Sequence, residues 1–101
     1  MIIDLQKDKE VVELDIRDKP SLYEISFLND EYTKFNDVID LAQEYFNMNE
    51  NEAWDVAFEV DTGGHSVVGK YTRDVAETKL SLAKKFMQSR GNPFKMEVRK
   101  V

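Results

Sequence analysis

The spacing of apolar residues switches several times along this chain between the two-residue period of a strand and the 3.6-residue period of a helix. Residues 21–28 predict a half-buried strand, because the apolar side chains of Tyr23, Ile25 and Phe27 alternate with the polar side chains of Glu24 and Ser26. Residues 65–72 and 94–98 predict two further strands. Three short strands bury little surface by themselves, so they must pair into a sheet and pack against the segments between them.

Three helices are predicted in those intervening segments, each from apolar residues at helical spacing. The first covers residues 35–46 and the second covers residues 49–60. The third begins at Thr72 or Asp74 and runs to about Arg90. The resulting order of elements is β-α-α-β-α-β.

The predicted helix ends agree with this division of the chain. Thr33 or Asn36 is expected to cap the first helix, because short polar side chains accept hydrogen bonds from free helical N–H groups. Asn49 followed three residues later by Glu52 resembles a capping box for the second helix. Two consecutive glycines at 63–64 should end that helix.

The fold class that follows is α+β. Three strands cannot cover both sides of three helices, so we expect a small three-stranded antiparallel sheet with the helices packed on one face. A length of 101 residues allows one domain. We expect a flexible, charge-rich arm over residues 1–19 and a folded core over residues 20–101.

Charge and composition exclude several classes of function. Residues 21–61 hold eleven acidic residues and one basic residue, whereas residues 62–101 hold three acidic and nine basic residues. The acidic excess of the whole chain argues against nucleic-acid binding. Cysteine is absent and His65 is the only histidine, so we expect no metal site and no cofactor. The chain shows no apolar run of membrane length and no secretory signal, so we expect a cytoplasmic protein.

Polar residues at the end of the first strand have two interpretations. Asn29, Asp30 and Glu31 interrupt the apolar pattern abruptly. Such residues often make turns and helix caps, but their oxygens are equally suited to face a ligand. A weaker candidate is a carboxylate of the second helix acting in acid–base chemistry with His65, which lacks a nucleophile nearby in sequence.

Three stretches of the sequence together resemble one known family. The stretches "PSLYEISFLNDEYT", "VVGKYTRDVAETK" and "GNPF" are similar to the ClpS family of adaptors for the ATP-dependent Clp protease. The similarity runs from about Pro20 to Val98. The resemblance implies a three-stranded antiparallel sheet with three helices and no enzymatic activity. It implies binding of proteins whose N-terminal residue is Leu, Phe, Tyr or Trp, and their delivery to a hexameric Clp unfoldase of the ClpA or ClpC type.

The resemblance also implies roles for individual residues. The α-ammonium group of the substrate would be bound by Asn29, Asp30 and Asp61. The pocket for the first side chain would be formed by Glu31 and Thr33 at the entrance and by Phe35, Val38, Ala57, Val60 and Phe94 as walls. The surface that docks the N-terminal domain of the unfoldase would include Asp74 and Lys79. The arm at 1–19 would help the unfoldase to engage, and we expect a monomer.

Three positions depart from the family pattern. Asp61 stands where the family has a histidine, and an aspartate can accept from an ammonium group while adding charge attraction. Ala57 stands where the family often has a bulky methionine, and Phe35 replaces another frequent methionine. We therefore expect altered selectivity among large side chains, favouring Trp or Tyr.

Three alternatives remain at this point. The first is a ClpS-like docking module that binds the unfoldase without recognising N-terminal residues. The second is a small hydrolase that uses Asp30, Asp61 or His65. The third is a ribosome-associated domain of similar architecture, which would be an analogy of fold alone.

Overall fold

The computed structural model describes residues 21–101, so the predicted arm at 1–19 lies outside the described residues. Six elements follow one another in the predicted order β-α-α-β-α-β. They are β1 (Leu22–Leu28), α1 (Phe35–Tyr45), α2 (Glu50–Gly63), β2 (His65–Thr72), α3 (Arg73–Ser89) and β3 (Lys95–Lys100). Within residues 21–101, no helix is both long enough and apolar enough to cross a bilayer.

The sheet has the strand order β2-β1-β3, and both pairings are antiparallel. The most apolar strand, β1, lies in the centre. Its residue Phe27 faces Ser66 of β2 on one side and Met96 of β3 on the other. The pairing with β2 shifts register between Ile25 and Ser26, which marks a β-bulge. The predicted antiparallel sheet is confirmed.

The hydrophobic core lies between one face of the sheet and the three helices, as predicted. Ile25 and Phe27 are fully buried there. The ring of Phe27 makes T-shaped contacts with Phe46 and Phe94, at centroid distances of 5.1 and 5.2 Å. Burying a side chain of this size contributes about 1.5–3 kcal/mol. The other face of the sheet carries polar groups, including the Arg99–Glu24 ion pair, so only one face is covered by helices.

The helix ends confirm one predicted cap and correct another. Asn49 and Glu52 form the predicted capping box at the start of α2, and Gly64 ends that helix with a positive φ of 91°. At α1 the predicted caps Thr33 and Asn36 are wrong, because the N-cap is Lys34 and no side chain caps the helix. The hydroxyl of Thr33 donates to Asp30 instead.

A polar cluster joins α1 to the turn between α3 and β3. The guanidinium group of Arg90 donates from Nη1 to Asp37 Oδ1 at 2.8 Å and to Asp40 Oδ2 at 2.6 Å. The buried side chain of Asn92 donates to Asp37 Oδ2 at 2.8 Å. We refer to Asp37, Asp40, Arg90 and Asn92 as the closed carboxylate cluster, because both oxygens of Asp37 are bonded within the fold.

Candidate functional site

A cavity of about 550 Å³ opens where the end of β1, the start of α1 and the last turns of α2 meet. The residues that line it are Asn29, Asp30, Glu31, Thr33, Phe35, Val38, Ala57, Val60 and Asp61. The first four follow β1 directly, because the chain leaves the sheet there and crosses to α1. Ala57, Val60 and Asp61 lie three and four positions apart, so they share one face of α2.

The inner wall of the cavity is apolar and firmly packed. Val38, Ala57 and Val60 belong to the hydrophobic core and are 5%, 2% and 3% exposed. The partly buried ring of Phe35 packs against the same core. This wall can receive an apolar group, but it offers no hydrogen bond.

The rim of the cavity carries the oxygens, and Asp30 is held rigidly among them. Asp30 Oδ1 accepts from the backbone N–H groups of Tyr32 at 2.8 Å and Thr33 at 2.7 Å. Its Oδ2 accepts from the Thr33 hydroxyl at 2.7 Å. Burial alone would raise the pKa of Asp30, but these three hydrogen bonds and the charge of Lys95 outweigh it and lower the pKa below its usual value. The group is therefore an anion at neutral pH.

The other polar groups of the rim come from distant parts of the sequence. The backbone N–H of Asn29 donates to the carbonyl oxygen of Gly64 at 2.9 Å. This bond ties the end of β1 to the end of α2, which brings Asp61 to the cavity that Asp30 also lines. Both Asn29 and Asp61 are exposed. For the described residues, the structure shows no hydrogen-bond partner for either side chain, so both can face a ligand.

Nine of the ten residues predicted for substrate binding thus line one cavity, and Phe94 does not. Phe94 packs against Phe27 in the core, and it lines a separate groove between α3 and β3 together with Leu80 and Met96.

The two residues predicted for docking lie on α3, away from the cavity. Asp74 is exposed in the first turn, and it lines a shallow groove with Val75, Thr78, Lys79 and Leu82. The ammonium group of Lys79 is partly buried, however. It donates to the carbonyl oxygen of Tyr45 at 2.7 Å, at the C-terminal end of α1, where a cation is favourable.

Two aromatic residues next to the cavity were missed by the sequence reasoning. Trp54 meets the ring of Phe35 in a T-shaped contact at 5.8 Å, and Phe58 stacks on Trp54 at 5.2 Å. Neither belongs to the inner apolar stripe of α2, which supplies the core residues of that helix. Their spacing of four positions on one helix was the signal that two exposed aromatic rings would meet.

The weaker candidate, a carboxylate of α2 acting with His65, is not joined by a hydrogen bond or ion pair from His65 within the described residues. His65 is exposed at the start of β2. Glu59 on the last turns of α2 accepts a hydrogen bond from the buried hydroxyl of Ser66. In the described part of the chain, no three or more side chains of His, Cys, Asp and Glu are grouped to hold a metal ion.

An apolar cavity with a rim of oxygens, on a small α+β module, has the chemistry to accept a ligand that is apolar at one end and cationic at the other. Comparison with known proteins identifies the family. The sequence model described as "ATP-dependent Clp protease adaptor protein ClpS" matches residues 18–97. The chain therefore belongs to the ClpS family, whose members are adaptors of the Clp protease.

Individual relatives agree with this assignment. The ClpS adapter protein of Nautilia profundicola is 34% identical over 94 residues, covering 92% of this chain and 97% of the relative. That of Deinococcus radiodurans is 37% identical over 78 residues, covering 77% and 69%. The solved structure of Agrobacterium tumefaciens ClpS2 bound to L-phenylalaninamide superposes with a TM-score of 0.78 at 30% identity. That match covers 82% of this chain and all of the other.

Proposed function

We propose that this protein is a non-enzymatic adaptor that binds proteins with a free, bulky hydrophobic N-terminal residue. Leu, Phe, Tyr and Trp are the proposed first residues, and the bound proteins are delivered to a Clp AAA+ unfoldase in the cytoplasm. The observation that carries the proposal is the pairing, in one cavity, of a buried apolar wall with an anionic rim. No bond is made or broken in this function, so it requires no nucleophile.

The anionic rim fits the α-ammonium group of a polypeptide. Asp30 is ionised at neutral pH, and its Oδ2 accepts only one hydrogen bond from the described residues. A carboxylate oxygen can accept two, so a donor from the ligand can still bind. Asp61 and the amide oxygen of Asn29 complete an acceptor set for the ammonium group. Charge-assisted hydrogen bonds of this type are the strong ones in proteins.

The apolar wall fits the first side chain. A cavity of about 550 Å³ has room for a large aromatic group and some water. The Agrobacterium relative is bound to L-phenylalaninamide, which carries a free α-amino group and a benzyl side chain. The free α-amino group of such a ligand would suit the anionic rim of this cavity, and the benzyl side chain would suit its apolar wall.

Ala57 should set the preference among first residues. Its small side chain lies buried in the wall, where a larger residue would fill the cavity. We expect Ala57→Met to weaken binding of a Trp-first peptide far more than binding of a Leu-first peptide, because overpacking costs about 1–3 kcal/mol. Competition anisotropy with the two peptides measures the ratio. A parallel loss for both peptides would contradict the assignment of Ala57 to side-chain selection.

A second function, docking without recognition of N-terminal residues, has one observation in its favour. The groove on α3 is lined by Asp74 and by the exposed apolar side chains of Val75 and Leu82, and it does not involve the cavity. The family resemblance implies that this surface, which includes Asp74 and Lys79, docks the N-terminal domain of the unfoldase. One protein can therefore have both functions, and a titration with peptides distinguishes between them.

The experiment is a fluorescence-anisotropy titration with matched peptides that begin with Leu, Phe, Tyr, Trp or Val. N-acetylated versions of the same peptides serve as controls. The proposal expects free bulky N-termini to bind, Trp or Tyr most tightly, and acetylated and Val-first peptides not to bind. If no free N-terminus binds while the protein still binds a Clp unfoldase, the docking function replaces the proposed one.

A further inference from the structure

An aromatic ladder extends outward from the cavity along α2. We give this name to Phe35, Trp54 and Phe58. The Phe35 and Trp54 rings meet edge to face at 5.8 Å, with 70° between their planes. The Trp54 and Phe58 rings lie nearly parallel, with 11° between their planes and centroids 5.2 Å apart. The three rings therefore form one continuous aromatic surface.

Much of the outer part of this surface is open to solvent. Trp54 is 47% exposed and Phe58 is 48% exposed, whereas Phe35 is partly buried against the core. Single exposed apolar residues are common, but two large stacked rings on the solvent side of a helix are a patch. Aromatic rings in exposed patches are typical anchors for a binding partner.

The ladder is continuous with the cavity of the proposed function. Phe35 is itself part of the cavity lining, and Ala57 and Asp61 line it from α2. On a helix, positions 54, 57, 58 and 61 lie on one face, because they are separated by three or four residues. Trp54 contacts the cavity lining through Phe35, and Phe58 extends the aromatic surface beyond Trp54.

The surroundings of the ladder are acidic. Asp61 lies on the same helix face, Glu50 lies one turn before Trp54, and Glu31 lies on the rim of the cavity. The segment 21–61 that builds the site holds only one basic residue, Lys34. An aromatic face within an anionic field favours a cation, and an arginine guanidinium stacks on tryptophan better than on other rings.

We propose that the aromatic ladder binds the side chain of the second residue of the bound polypeptide and selects arginine or lysine at that position. This inference rests on the proposed function, since it takes the first residue to be held in the cavity. Consecutive Cα atoms are about 3.8 Å apart, so the second side chain starts within reach of a ring that contacts the cavity wall. The adaptor would then recognise both the first and the second residue of the bound polypeptide.

The test is an anisotropy titration with four peptides that share a first Phe and differ at the second residue: Arg, citrulline, Ala or Glu. We expect Phe-Arg to bind about two- to fivefold more tightly than Phe-Ala, as for an exposed cation–π contact. Citrulline keeps the planar shape of arginine without its charge, so it should retain little of this gain. Glu should bind more weakly than Ala.

Variants assign the effect to the ladder. Phe58→Ala removes the outer ring, which makes no aromatic contact with Phe35, and it should reduce the Arg advantage while Phe-Ala binds as before. Trp54→Ala should abolish the advantage. Val67→Ala is the matched control, because Val67 is 45% exposed on β2 and lies on the face of the sheet that the helices leave uncovered.

The outcomes separate this inference from the function on which it rests. If Phe-Ala binds and all four second residues bind equally, the ladder is not a subsite, although the proposed function stands. If Phe-Ala itself fails to bind, the proposed function and this inference both fall. A dimer in sedimentation velocity that dissociates with Trp54→Ala would also overturn the inference, because a second copy would then cover the ladder.

Discussion

Two groups of carboxylates lie near the N-terminal half of α1: the closed carboxylate cluster and the carboxylates of the cavity rim. They differ in the origin of their hydrogen-bond donors. In the closed carboxylate cluster, Asp37 is bonded at one oxygen by Arg90 and at the other by Asn92. At the cavity rim, Asp30 is bonded by its own loop, and Asp61 has no partner within residues 21–101. The pKa values of Asp30 and Asp37 are both lowered. Both groups thus contain an ionised aspartate. In the closed cluster, donors from the fold occupy both oxygens of Asp37, so this aspartate stabilises the fold. At the cavity rim, acceptor capacity remains, so those carboxylates can bind a ligand.

The largest expected effect is the loss of peptide binding in Asp30→Ala. Removing the carboxylate leaves an ammonium group without its main acceptor, and a hydrogen bond to a charged group is worth about 1.5–3 kcal/mol. We expect the affinity for a Phe-first peptide to fall by at least about tenfold, which anisotropy measures. Asp37→Ala is the matched control and should bind as the unchanged protein does.

Because Asp30 also orders its own loop, folding must be checked in the same experiment. Circular dichroism and a thermal melt should show a folded Asp30→Ala protein at the titration temperature. Unchanged peptide affinity in that folded variant would place the ammonium site elsewhere and would remove the distinction between the two groups of carboxylates.

The second effect is a loss of stability in Asp37→Ala. The variant leaves the buried amide of Asn92 without its acceptor, and an unsatisfied buried polar group costs about 1–3 kcal/mol. Urea unfolding monitored by the fluorescence of Trp54 gives the free energy of unfolding. A change within the error of the measurement would mean that Asp37 is dispensable for the fold and that the closed cluster is a surface feature.

The sequence predicts features that depend on neighbouring residues, but it does not predict which distant groups bond to these carboxylates. The element order, the one-sided sheet and the capping box at Asn49 followed from apolar spacing and short-range chemistry, which act over a few residues. The gathering of the cavity residues was implied by the family resemblance and not by apolar spacing, because Asp30 and Asp61 belong to different elements that only the tertiary fold brings to one cavity.

Other features depended on competition between partners that a sequence does not reveal. Thr33 was a reasonable cap for α1, but the carboxylate of Asp30 takes its hydroxyl. The family resemblance predicts Lys79 on the docking surface. It lines the groove on α3, and its ammonium group also donates to the carbonyl oxygen of Tyr45, a contact that the sequence does not reveal. Polar side chains choose among several partners in three dimensions, and apolar spacing carries no information about that choice.

A smaller effect is expected for Asp61→Asn. Asp61 is exposed, and an exposed ion pair contributes about 0.2–1 kcal/mol. The variant should weaken binding of a Phe-first peptide by only a few-fold and should reduce the dependence of affinity on salt concentration. Anisotropy at two ionic strengths tests this, with Asp55→Asn on α2 as a control for the loss of one charge. A loss as large as that of Asp30→Ala would make Asp61 the principal acceptor.

The smallest effect is the dependence of stability on acid, and it separates the two groups of carboxylates most finely. The hydrogen bond from Asn92 is the main cause of the lowered pKa of Asp37; burial opposes it, and Arg90 adds to it. Asp30 has a lowered pKa because its loop bonds outweigh burial. A carboxylate with a lowered pKa stabilises the fold above the pKa that it has when unfolded, about 3.9. That contribution is lost as the pH falls through the lower, folded value.

We therefore expect the free energy of unfolding to decline below about pH 4, by less than about 1 kcal/mol for each of these partly exposed groups. Asp37→Asn should flatten the decline both with and without a bound Phe-first peptide. Asp30→Asn should flatten it in the free protein, and it should also remove the additional acid sensitivity that a bound ammonium group adds, because the ligand binds the ionised form of Asp30. Urea unfolding between pH 2.5 and pH 5, with and without peptide, measures both. If Asp30→Asn changes the acid dependence of the free energy of unfolding equally with and without peptide, Asp30 stabilises only its own loop and does not bind the ammonium group.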